Sequence, residues 1–106
     1  MKKSEPTKPA NSISQLATRI ANDWKKPYFG AVPYVRAMQT FNDLAWKPKA
    51  PGMYDWMPTM YGLDRADDVV ERFLANAGTW RGEEAKAVKA ELKQHLAWAK
   101  HVLGKK

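Results

Sequence analysis

The sequence predicts an all-α fold: a small four-helix domain with a long aromatic-, Met- and Pro-rich loop between helices two and three. Three observations lead there. Apolar residues recur at i, i+3, i+4 and i+7 in four separate windows, the spacing of one buried helical stripe. Prolines and glycines fall between those windows, where they end helices. No stretch alternates apolar and polar residues strongly enough to read as a strand.

Residues 1–11 hold Pro6 and Pro9, Lys2, Lys3 and Lys8, and no large apolar side chain after Met1. They read as a disordered basic tail. Their two leading lysines have no apolar run behind them, so they do not read as a secretory signal. Residues 12–104 form a single helical domain, and 105–106 a disordered basic end.

The first helix opens at Ser12. Ser12 and Gln15 have capping-box spacing, in which each satisfies a backbone N–H of the other's turn. Ile13, Leu16, Ala17, Ile20, Ala21 and Trp24 then make one face. Lys25 and Lys26 suit the negative end of the helix dipole, and Pro27 enforces a stop. Pro33 fits the first turn of a second helix, where its missing N–H costs nothing. Tyr34, Val35, Met38, Phe41 and Leu44 are that helix's inward face, and it ends before Pro48.

The crossover from Trp46 to Tyr61 is the unusual segment. Met53, Tyr54, Trp56, Met57 and Met60 fall within eight positions, interrupted by Pro48, Pro51 and Pro58. A long loop without internal structure is uncommon and tends to be functional. Asp64 suits an N-cap for the third helix, with Asp67 and Asp68 in its first turn. Its stripe is Ala66, Val69, Val70, Phe73, Leu74 and Ala77, and Gly78 is the expected left-handed terminator. After the short link "TWRG", a fourth helix runs from Glu83 to Leu103. Its core positions are Ala85, Val88, Leu92, Leu96, Ala99 and Val102 or Leu103.

The chain has 106 residues, which fit one domain, and no cysteine, which excludes disulfides and thiolate metal sites. A reducing cytoplasm is the default compartment. No apolar run approaches the roughly 20 residues of a membrane span. The net charge of +7 is unevenly placed: residues 12–49 carry Arg19, Lys25, Lys26, Arg36, Lys47 and Lys49 against Asp23 and Asp43. A basic half of this kind attracts phosphate, though a solvated surface gives the same count.

Catalytic chemistry finds little support. His95 and His101 do not share a helical face. Glu91 and His95 do, at i, i+4, but one carboxylate and one imidazole make half a metal site at best, and a surface hydrogen bond is the simpler role. "GTWRGEEAK" lacks the Lys-Ser/Thr ending of a phosphate loop. Ser12 and Ser14 have no base nearby in sequence. Asp67, Asp68 and Glu71 suit the helix dipole and solvent. The expectation is therefore a non-enzymatic protein with no cofactor and no metal.

Two binding readings follow. In the first, the crossover stays partly exposed and docks a partner protein through Tyr54, Trp56, Met57, Met60 and the Trp80–Arg81 pair, because aromatics concentrate at interface hot spots and Met adapts. The same surface would serve self-association. The competing structural reading makes the crossover a lid over the core, Trp80 a staple between helices, and Arg81 a partner of Glu84 or Asp68. In the second binding reading, Lys25, Lys26, Arg36, Lys47, Lys49 and the tail hold nucleic acid non-specifically. The Lys86, Lys89 and Lys93 face could touch phosphates too. Helices three and four outline a helix-turn-helix, but Glu84 falls where that motif buries an aliphatic residue.

Three stretches, "ISQLATRIANDW", "YFGAVPYVRAM" and "YGLDRADDVVERFLANAGTWRGEEAKAVKAELKQHL", resemble short uncharacterised accessory proteins of bacteriophages and mobile elements of Gram-positive and actinobacterial hosts. The likeness covers most of residues 13–96, and "NAGTWRG" with "AVKAELK" is its most specific part. The departure is "WKPKAPGMYDWMPTM", where the family pattern has a shorter link poorer in Met and Trp. The resemblance implies an accessory protein acting inside an infected or element-carrying bacterium. It implies no reaction and carries over no site residues.

Overall fold

A computed structural model describes residues 6–46 and 56–104. Helix α1 spans Ile13–Asp23 and begins with the expected box: Gln15 N–H donates to Ser12 Oγ, and Ser12 N–H to Gln15 Oε1. Of its stripe, Ile13, Leu16, Ala17, Ile20 and Trp24 are buried and Ala21 is exposed. A 3-10 turn, Phe29–Ala31, leads into α2, Val32–Met38, with Pro33 in the first turn.

Helix α2 is much shorter than its apolar pattern implies. Thr40 Oγ1 donates to Ala37 O at 2.6 Å and closes the last turn, and Asn42 then turns back to accept from Ile13 N–H at 2.7 Å. Phe41 and Leu44 are buried without being helical. Short polar side chains that bond nearby backbone compete with helix continuation, which is the physical reason for the early stop.

The all-α expectation needs correction. Among the described residues the crossover contains two small antiparallel hairpins, so the fold is mostly helical rather than purely so. Strand β1, Ala45–Trp46, pairs with β2, Met57–Pro58, in the register Ala45↔Pro58 and Trp46↔Met57. Strand β3, Met60–Tyr61, pairs with β4, Asp64–Arg65. Thr59 joins the two: its N–H donates to Leu44 O at 2.9 Å, and its carbonyl accepts from Ala66 N–H at 2.7 Å. The described part of this apolar segment thus meets backbone hydrogen-bonding need by strand pairing. Pro58 fits because strands this short have only edges.

Helix α3, Ala66–Ala75, follows β4 directly. Asp64 is a strand residue and not the N-cap; Arg65 holds that position without a side-chain cap, and the bond from Ala66 N–H to Thr59 O serves the exposed donor instead. At the other end Gly78 is not left-handed. Asn76 closes the helix, its Nδ2 donating to Arg72 O at 2.8 Å. Helix α4, Glu83–Leu103, has the bounds its sequence implies. The helices close a ring in which α1 packs on α2 and α4, and α3 on the same two. The first hairpin rests against α4, and the second leads directly into α3.

Candidate functional site

The contact residues expected from sequence separate into three environments. Trp80 lies in the core at 2% exposure. Its ring stacks on Trp24, meets Phe73 edge-on, and its Nε1 donates to Asp23 at 2.8 Å. Lys89 closes the same corner, its Nζ donating to Ala77 O and Trp80 O, each at 2.7 Å. That environment desolvates the ammonium and, with Arg81 and Lys93 nearby, lowers its pKa. Trp80 is therefore a helix-to-helix staple that, contrary to the sequence expectation, presents almost no surface to a partner.

Arg81 is exposed, but it pairs with neither Glu84 nor Asp68. Glu84 is taken by Arg19, whose Nε and Nη2 donate to the two carboxylate oxygens at 2.7 and 2.8 Å. That charge-assisted fork holds the Glu84 carboxyl below its usual range.

Of the crossover set, Tyr54 lies outside the described residues, as do Lys47 and Lys49 of the nucleic-acid set. Trp56 is half-buried against the core, Met57 is half-buried in β2, and Met60 is exposed in β3. The structure adds three residues to Met60 that the sequence reading did not single out: Trp46, Tyr61 and Leu63. Successive strand residues point to opposite faces. Met60 and Tyr61 are 51% and 43% exposed, so neither face of the second hairpin is covered. At its tip Gly62 has φ +63° and Leu63 a negative φ, the pattern of a two-residue II′ turn with glycine first. Leu63 is 99% exposed. A glycine between two short apolar–polar segments is the signal that could have revealed this turn.

The expectation of a loose tail also changes for the part that is described. Gln94 Nε2 donates to Thr7 O at 2.9 Å. Glu91 accepts from both Asn11 N–H and Asn11 Nδ2, at 2.6 and 3.0 Å. His95 is buried, and its Nε2 lies 2.7 Å from Asn11 O; a carbonyl only accepts, so the ring nitrogen carries the proton. Glu91 and His95 do not form the surface hydrogen bond their spacing suggested: each bonds residue 11 instead, and His95 is buried. Burial lowers the His95 pKa, partly offset by the bond to Asn11 and the fields of Asp43 and Glu91.

Among the described residues no group of three or more His, Asp or Glu is placed to hold a metal ion, and no helix is long and apolar enough to cross a membrane. Lys25, Lys26 and Arg36 are exposed near the junction of α1 and α2. No protein-family model, curated protein or solved structure matches the chain.

Proposed function

We propose that this protein is a non-enzymatic binding module that docks a host or phage protein inside a bacterium, through its second hairpin and the exposed Trp46 of the first. The observation that carries the reading is Leu63. Turn positions favour small or polar residues, yet here a leucine stands fully in water beside exposed Met60 and Tyr61. Leu63 gains nothing there in the isolated chain, whereas burial against a partner would contribute about 1.5–3 kcal/mol.

Affinity capture from bacterial lysate, with and without nuclease, tests the reading when wild type is run beside a Met60→Lys/Leu63→Asp variant. The expected result is a protein that survives nuclease and is lost with the variant. Capture that needs nucleic acid, and that falls by roughly orders of magnitude between about 50 and 200 mM salt, would replace it with the phosphate-binding alternative. A wild-type dimer abolished by the variant would make the hairpin a self-association surface.

A further inference from the structure

We infer that the groove between α1 and α2 binds an acidic, amphipathic peptide segment of a partner protein. It is separate from the hairpin surface and does not depend on it. The groove is open to solvent and encloses about 320 Å³, at the small end of the roughly 300–1,000 Å³ of ligand pockets. Its floor is made by buried Ile20, Trp24 and Val35, and its apolar rim by exposed Ala21 and Pro27 and half-buried Val32. That apolar lining suits an aliphatic or aromatic anchor.

Charge defines the occupant further. Lys25 and Arg36 line the groove and are exposed, exposed Lys26 follows Lys25 in sequence, and no carboxylate lines the groove. The ion pairs among the described residues are Arg19–Glu84 and Arg65–Asp67, so all three of these cations are unmatched there. Asp23, two positions before Lys25, accepts from Trp80 Nε1. A partner carboxylate would meet unpaired cations beside an apolar slot, which is the chemistry of groove recognition of an amphipathic segment.

Nucleic acid fits the same cations less well. Single-strand sites stack bases on open aromatic faces. The aromatic in this groove, Trp24, is 8% exposed and already stacked on Trp80.

The test is selection of displayed random peptides of about 12 residues on the purified full chain, followed by anisotropy titration of the enriched peptides. Enriched sequences should combine Asp or Glu with large apolar residues. Their affinity should fall about tenfold or more in Lys25→Glu/Arg36→Glu, which reverses the charge, and in Ala21→Trp, which fills the groove from an exposed wall position. Melting curves establish that each variant folds; should Ala21→Trp fail, Gln39→Glu places a repelling carboxylate on the same wall. Enrichment of basic or uncharged peptides overturns the inference, as does affinity unchanged by these variants. Tighter binding of a single-stranded oligonucleotide, or of decanoate, than of any selected peptide overturns it too.

Discussion

The indole of Trp24 lies stacked on that of Trp80, ring centres 5.8 Å apart and 15° from parallel. The pair ties the end of α1 to the link between α3 and α4, and Phe73 meets both rings edge-on. Trp80→Ala should therefore cost about 3–5 kcal/mol, a large share of the roughly 5–15 kcal/mol available to a domain. Urea unfolding checks it. A loss under about 1 kcal/mol would mean that the corner is held by something other than this stack.

The hairpin residues should behave in the opposite way. Leu63→Asp and Met60→Lys remove exposed side chains and should shift stability by no more than about 0.5 kcal/mol while abolishing partner capture. Loss of both properties together would show that the hairpin is structural.

Two glycines make a matched backbone experiment. An added Cβ meets nothing within 4 Å at either Gly62 or Gly78, so only the backbone distinguishes them. Gly62, at φ +63°, should lose about 1–2 kcal/mol on substitution by Ala. Gly78 has no positive φ and should be neutral or gain up to about 1 kcal/mol. Thermal melts of both variants decide the matter; equal losses would contradict the turn assignment.

His95 gives the fold a defined response to acid. Its folded pKa lies below the ordinary imidazole value because burial disfavours the cation. The unfolded chain therefore takes up the proton first. Stability from this group is complete above about pH 6.5 and declines as pH falls below it toward the lowered folded value. The charges that act on the ring are Glu91 from α4 and Asp43 from the turn after α2, and both oppose the decline. His95→Gln should flatten the melting temperature between about pH 7 and 5 relative to wild type. An unchanged slope would assign the acid response elsewhere.

Lys89 supplies a fifth measurement. Lys89→Met leaves the carbonyls of Ala77 and Trp80 without their shared donor and should cost about 1–3 kcal/mol. Retained stability would show that water replaces the ammonium.

Helices α1 and α4 were legible because their signals are local: a capping box at Ser12 and Gln15, and stripes repeating every 3.6 residues. Helix α2 misled because Phe41 and Leu44 continue the apolar period after the backbone has turned away. The hairpins were hidden because two-residue strands contain no alternation to read, and their pairing depends on contacts such as Leu44 with Thr59. Trp80 could be read as staple or contact, and only the position of Trp24 chose between them. Glu91 and His95 stood at a suggestive spacing, but residue 11 lies 80 and 84 positions away from them.

That last separation governs the order of assembly. Glu91 and His95 leave the ribosome long after Asn11, and α4, against which α1 packs, emerges after the other three helices. The side of α1 that faces α4 stays uncovered while α2, the hairpins and α3 are made, and the native arrangement closes only when α4 arrives. A nascent chain stalled before α4 should therefore be a chaperone client and a protease substrate, even though the first three helices are already made.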